Sequence, residues 1–337
     1  MVLSPIAMIE EPAGFSSTTD EISRVELLLA IARAKGSLLS AKDISELTSL
    51  IPAGADLGSI WKQTPSLDSQ YEVKGSLLVE KKATNNQASS IAIDDQKWRR
   101  ARAERYTEYA REFSFLSGKT LIRVLSVAGS TSYKAPSEND DIDIFCVTER
   151  DSLWIYLTKA LLLARVFKLS RPSSPRFCFS CAVDEGYAER LFRSSNDALF
   201  ARDALTAQVL QGSAFYGGLL RRAQWLSDYF PNLYGMKRAQ HIENAEKAGI
   251  IRSTVARRVL NHFLFLTVGN YIRLRSILLN RALRQKGWHD SFFMILGGPD
   301  HCIFESQSYR KLRDVYSQFK PYSSKQESSK TEKDPRP

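Results

Sequence analysis

Three short apolar runs interrupt a chain whose hydrophobic positions otherwise recur mostly at helical spacing. Leu121 to Val127 and Ile142 to Val147 are rich in branched and aromatic residues and bounded by turn residues, which predicts two buried β-strands. Arg176 to Val183 predicts a third, with Cys178, Ser180 and Ala182 on one face and Phe177, Phe179 and Cys181 on the other. Downstream, residues 187–319 read as mostly helical. Leu219, Leu220, Ala223 and Leu226 form one amphipathic stripe, which Phe230-Pro231-Asn232 ends. Val255, Val259, Leu260 and Phe263 form another, and Leu264, Leu266, Val268 and Tyr271 to Leu279 continue it as a long helix. That helix is apolar over much of its circumference, so it should be buried or lie at an interface. These elements predict an α/β (α+β) protein.

Upstream, Ile22, Val25, Leu28, Leu29 and Ala32 make one apolar helical face. Ser40 with Asp43 has the pattern of a capping box, opening a second helix through Leu50. A third short helix is expected over Leu57 to Lys62, and YEVKGSLLVEKK alternates about Gly75 like the two strands of a wing. Residues 20–82 therefore read as a small winged-helix-like unit. Such units often bind DNA through the last helix, but here that helix offers only Lys62 and polar neighbours, so packing, dimerisation or protein contact is the stronger expectation. Residues 84–91 have linker composition, and the polar, lysine-rich stretch 323–337 is expected to be disordered.

Charge adds a preference for polyanions. The 337 residues carry a formal net charge of +10, and the sequence pI is near 9.4. One cluster sets Lys97, Arg99, Arg100, Arg102, Arg105 and Arg111 among Trp98, Tyr106 and Tyr109. On a helix this is either a face that tracks RNA or DNA phosphates or a solvated connector whose long stems cover apolar surface. No stretch has the layout of a signal peptide, and the run around Phe263 to Ile272 is too short and too charged to span a bilayer, so a soluble cytoplasmic protein with no membrane partner is expected. Cys178 and Cys181 form a C-x-x-C, but positions i and i+3 of a strand face opposite ways, and no second pair completes a zinc site. The four histidines, His241, His262, His289 and His301, are scattered without ligand spacing.

The candidate chemistry lies between the first two strands. Gly129-Ser130 follows the first, and Asp141-Ile-Asp143 opens the second eleven residues after Ser130. Asp141 and Asp143 share a strand face roughly 7 Å apart, while Ile142 and Ile144 point into the core. Two carboxylates so placed repel unless a cation joins them, and Mg²⁺ (or Mn²⁺) shared with substrate phosphates would do so. Gly129 lets backbone approach a ligand closely, the Ser130 hydroxyl can donate to a phosphate oxygen, and Lys134 can add positive charge.

The segment VAGSTSYKAPSENDDIDIFCV resembles the Gly-Ser…Asp-x-Asp signature of the nucleotidyltransferase superfamily built on the DNA polymerase beta palm. DSLWIYLTKALLLARVFKLSRP, RFCFSCAVDEGY and LLRRAQWLSDYFPN are similar to segments of one group within it. These are bacterial and archaeal nucleotidyltransferase-like proteins with a winged-helix region before the catalytic domain and a helical region after it. The resemblance implies a palm over 94–186 that includes the leading basic helix, and a helical domain over 187–319. It implies an NTP as substrate, Asp141 and Asp143 as catalytic metal ligands, and Gly129, Ser130 and Lys134 as nucleotide-binding residues. Two departures qualify it. The third strand bears no acid where active members carry a third carboxylate, Ser180 lying near that position, and Lys134 stands where a small residue is common. The leading expectation is an Mg²⁺-dependent transfer of NMP from an NTP to an acceptor hydroxyl. The alternatives are a nucleic-acid-binding regulator whose palm senses nucleotides with weak or no catalysis, and an interaction protein with a dedicated protein partner.

Overall fold

The computed structural model describes residues 18–35, 37–48, 65–74, 76–81, 86–241, 254–286, 292–319 and 321–322. The predicted helix at 57–62 and the polar stretch 323–337 lie outside them.

Two helices, α1 (Thr18–Ala34) and α2 (Ala41–Leu47), open the described chain. The capping box is present: Ser40 Oγ accepts from the Asp43 N–H at 3.2 Å, and Asp43 Oδ2 accepts from the Ser40 N–H at 2.7 Å. A short helix, α3 (Pro65–Gln70), then leads into an antiparallel hairpin of β1 (Tyr71–Lys74) and β2 (Leu77–Glu80). Val25, Leu29, Ile44 and Leu78 close a small core beneath this unit. The other sides of α1 and α2 are sealed onto the rest of the protein. Leu28, Ile31 and Leu47 enter the main core, Asn232 Nδ2 donates to Ser45 O and Thr48 O, and Arg24 Nη1 donates to Tyr229 O.

Residues 86–91 are not a linker. A single helix, α4 (Asn86–Ser117), takes them in, because a helix nucleated by its packed centre extends cheaply through neighbours such as Gln87 and Ala88.

The main sheet has six strands in the order β6-β3-β4-β5-β8-β7. Its members are β3 (Ile122–Val127), β4 (Ile142–Thr148), β5 (Phe177–Asp184), β6 (Gln208–Gln211), β7 (Phe293–Gly297) and β8 (His301–Ser306). Between β3 and β4 lies one four-residue turn of helix, α5 (Gly129–Ser132). Only β4 and β5 are parallel, joined by the crossover helix α6 (Leu153–Ser170); the remaining pairs are antiparallel. The sheet is therefore mixed. Residues 187–319, expected to be mostly helical, also supply three of its strands.

Each face of the sheet has its own core. On one, Ile142, Ile144, Cys146 and Ala182 pack against Phe113 of α4 and Trp154, Tyr156 and Phe167 of α6. On the other, Phe145, Val147 and Val183 pack against α7 (Glu185–Ser194), α8 (Ala198–Thr206) and α9 (Ser213–Arg222). The same layer holds α10 (Leu226–Tyr229), α11 (Pro231–His241) and, at its end, α14 (Gln307–Tyr316). Pro231 does more than stop a helix: it is the first residue of α11, where its missing N–H costs nothing.

The long apolar pattern forms α12 (Val255–Leu264), a π-helical turn (Phe265–Gly269) and α13 (Asn270–Gln285). Trp154 fastens it: its N–H donates to Asn261 Oδ1 and its Nε1 to Gly298 O, both at 2.8 Å. The π turn sits where Gly269 meets that indole, an added Cβ falling 3.1 Å from Trp154 Cη2. No helix among the described residues is long and apolar enough to cross a membrane.

Candidate functional site

The Gly-Ser turn and the acid pair are brought edge to edge by the pairing of β3 with β4. Val127 lies opposite Ile144, and the Ala128 N–H donates to Asp143 O at 2.9 Å. Ile142 and Ile144 are fully buried on one face, which turns Asp143 to the other. Gly129, at φ +60°, opens α5 directly against it. A Cβ there would stand 2.2 Å from Asp143 Oδ2, so only glycine admits the carboxylate at this place.

Asp143 is half-buried in the cleft wall. Burial, then the charges of Asp141 and Asp140, push its carboxyl up to about 7, and hydrogen bonds from Cys178 and Ser180 oppose the shift. Asp141, at the solvent-facing rim, is also raised by desolvation, with Arg176 pulling it back. The loop between turn and acids is held from both sides. Ser137 N–H and Oγ bond to Asp140, while Arg99, Arg102 and Tyr106 of α4 donate to the carbonyls of Ala135, Pro136 and Glu138. Part of the basic face of α4 is thus committed to fixing this loop; Trp98 remains 70% exposed beside it.

A bulge in β5 changes the expected faces. Asp143 pairs with Cys178 and Phe145 with Cys181, so two residues of β5, Phe179 and Ser180, oppose the single Ile144 of β4. Cys181 therefore joins Cys178 and Ser180 on the Asp143 side, packing near Phe145, and Ala182 turns to the opposite core. Ser180 and Cys178 flank Asp143, and no acid reaches it from this strand. Asp184, at the strand's end, instead caps α7 by accepting from the Tyr187 N–H. All four cysteines are free thiols, and among the described residues no three His, Cys, Asp or Glu side chains converge to hold a metal.

Gly129, Ser130, Lys134, Asp140, Asp141 and Asp143 line one wall of a cleft of about 590 Å³. Lys35 of the turn after α1 and Lys42, Asp43 and Glu46 of α2 face them across it, and Arg202, Asp203 and Tyr309 form its far end. Apart from Asp43, read as a capping residue, none of those groups carried a signal in the sequence, because they meet through contacts distant along the chain. Arg202 lies over the Tyr133 ring at 3.8 Å and donates to Tyr316 Oη. The Arg202 Nε and Tyr133 Oη atoms are buried without a protein hydrogen-bond partner.

Asp203 accepts from Tyr309 Oη at 2.9 Å, yet burial pushes its carboxyl up to about 7. The folded state therefore holds a proton that the unfolded chain releases near pH 4. Its contribution to stability is full below pH 4 and lost as the pH rises through 7. In Asp203→Asn, urea unfolding between pH 4 and 7 will show a slope shallower by up to about 1.4 kcal/mol per pH unit than in the parent. An unchanged slope would show that Asp203 is already ionised in the folded protein.

Lys134 sits where α5 ends, at φ +58°, a left-handed conformation that glycine adopts without strain. Lys134→Gly should raise the unfolding free energy by about 1 kcal/mol and, if Lys134 binds phosphate, weaken nucleotide binding in the same variant. Unfolding and binding titrations of Lys134→Gly and Lys134→Ala separate the two effects, since alanine removes the charge and keeps the strain.

Fold and site together define a mixed α/β protein whose cleft joins a glycine-opened turn to two carboxylates. Compared with protein-family models, with curated proteins and with solved structures, the chain matches none.

Proposed function

We propose that this cleft binds an NTP with Mg²⁺ and transfers NMP to an acceptor hydroxyl, the chain being a nucleotidyltransferase with a polymerase-beta-type palm. The contact of Gly129 with the Asp143 carboxylate carries the reading. It sets a turn open to phosphate against a carboxylate that lacks a counter-charge, an arrangement that gains nothing structurally from either half alone.

The donor set suits an ion shared with substrate. Asp141 and Asp143 supply two carboxylates, and Mg²⁺ commonly completes its six oxygens with water and phosphate. When bound, the ion would supply charge neutralisation at the transferring phosphoryl group. The chain's own residues do the rest. Gly129 and Ser130, the first residues of α5, have N–H groups with no acceptor inside the helix, and the Ser130 hydroxyl stands beside them. Lys134 and Lys42 border the cleft and add positive charge. The acceptor hydroxyl gives up its proton to solvent as its oxygen attacks the α-phosphorus and pyrophosphate leaves, so the products are an NMP-acceptor ester, pyrophosphate and a proton.

A nucleotide sensor is the second reading, favoured by Ser180 and Cys178 standing around Asp143 where a third acid would sit. The helix–hairpin order of residues 18–81 supports a winged-helix-like unit and, with it, a nucleic-acid partner for either reading. The distinguishing assay supplies each common NTP with Mg²⁺ or Mn²⁺ and measures pyrophosphate release. Metal-dependent release supports transfer; tight binding without release supports sensing; neither binding nor release removes both.

A further inference from the structure

On the sheet face that holds Ile142 and Ile144, the long helix formed by α12, the π turn and α13 uses only a narrow stripe to hold the protein. Asn261, Gly269 and Ser276 are its buried positions. Phe263, Tyr271, Leu274 and Ile277 on this helix, with Leu162 and Leu169 on α6, are 50–80% exposed. Apolar side chains so grouped on two neighbouring helices mark a surface that another molecule covers. Between α6 and α13 runs a groove of about 800 Å³, floored by Leu161, Phe177, Ile272, Ile295 and Phe304. Arg165, Lys168, Arg176 and Arg275 border it, and among the described residues no acidic side chain lines it.

The charge is one-sided along both walls. Segment 153–176 contains five Lys and Arg, segment 254–286 contains seven, and neither contains Asp or Glu. Some of these cations are engaged locally: Arg257 pairs with Glu149 at 2.7 Å, Arg258 with Asp151 at 3.3 Å, and Arg171 with Glu112. Arg165 and Arg275, at the groove's two lips, are exposed.

We propose that this groove docks an acidic amphipathic helix of a partner protein, apolar anchors entering the floor at i, i+3/i+4 and i+7 and carboxylates meeting the Arg165 and Arg275 lips. A second copy of the chain is the poorer occupant, because it would set cationic lips against cationic lips. A bilayer is poorer too, because it covers convex apolar surface and leaves a groove between helices unfilled. The proposal is independent of the nucleotide reading.

The test uses the full-length protein and a labelled helical peptide of about 18 residues, with leucines on one face and glutamates flanking them. Its lysine-flanked counterpart and phosphatidylserine vesicles serve as the other probes. In fluorescence anisotropy the glutamate peptide will bind and weaken at least about tenfold as salt rises from about 50 to 300 mM, and the lysine peptide will not bind. Arg165→Glu/Arg275→Glu will reverse that preference. Leu162→Gln, at an exposed position, will weaken the glutamate peptide at least about tenfold with its sign preference kept. The proposal is overturned by failure of the glutamate peptide to bind, by equal binding of both peptides, or by a preference that survives the charge reversal. It is overturned equally if vesicles displace the peptide, or if light scattering shows a dimer that the peptide does not dissociate.

Discussion

Gly129→Ala is expected to abolish nucleotide binding and to destabilise the protein by roughly 2–4 kcal/mol, the largest effect of any single methyl group in the cleft. Two independent penalties meet there. The backbone is at φ +60°, where alanine is strained, and the new methyl would stand 2.2 Å from Asp143 Oδ2 and 2.9 Å from its carboxyl carbon. Relief requires either the turn or the carboxylate to move. The turn is tied to β4 through the Ala128–Asp143 hydrogen bond, and Asp143 is held by Cys178 and Ser180. Either movement separates the two halves of the proposed site. Urea unfolding and nucleotide titration of the same sample read both consequences. Wild-type affinity in Gly129→Ala would show that the contact does not matter to binding.

The double variant Asp141→Asn/Asp143→Asn should separate stability from function with opposite signs. Asp143 is raised to about 7 mainly by burial and by Asp141, so the folded protein carries an ionised, poorly solvated carboxylate at pH 8. The sign follows from linkage. A carboxyl raised on folding contributes stability that is full below about pH 4 and is lost as the pH climbs through 7, leaving a standing penalty above it. Asparagine removes that penalty and can still accept the hydrogen bonds from Ser180 and Cys178. Metal-free, at pH 8, the variant should therefore be more stable by about 1–3 kcal/mol, most of it from position 143, since Asp141 is better solvated. With Mg²⁺ and an NTP the order inverts: the parent gains stability from binding and the variant gains none. A variant that is less stable than the parent without metal would mean that the pair is satisfied by its protein surroundings alone.

How legible all this was depends on the distance over which each feature is encoded. The strand patterns of Leu121 to Val127 and Ile142 to Val147, the Ser40–Asp43 capping box and the hairpin about Gly75 are local, and each is found where its pattern placed it. The placement of Gly129 beside Asp143 followed from strand pairing, although the closeness that excludes a methyl group did not. What escaped was non-local. β6, only Gln208–Gln211, is too short to carry an alternation distinguishable from a helical turn, and it is a strand because β3 offers it an edge. The bulge that moves Cys181 and Ala182 across β5 depends on how β4 lies beside it, which the spacing of the cysteines cannot express. Arg202 reaches Tyr316 across 114 residues and Asp203 reaches Tyr309 across 106, so the far end of the cleft had no sequence signature. The long apolar helix was expected to be buried or at an interface; it leaves most of its apolar side chains outside, the arrangement on which the docking proposal rests.

In the proposed function the turn and the carboxylates act as one site, holding phosphate and cation together. Calorimetric titration of the full chain with an NTP, with and without Mg²⁺, tests it most directly. If the claim holds, Mg²⁺ tightens NTP binding at least about tenfold, and by linkage the NTP tightens Mg²⁺ binding by the same factor. Both effects vanish in Asp141→Asn/Asp143→Asn. NTP affinity that is the same with and without the metal, or a coupling that persists in the double variant, would contradict it.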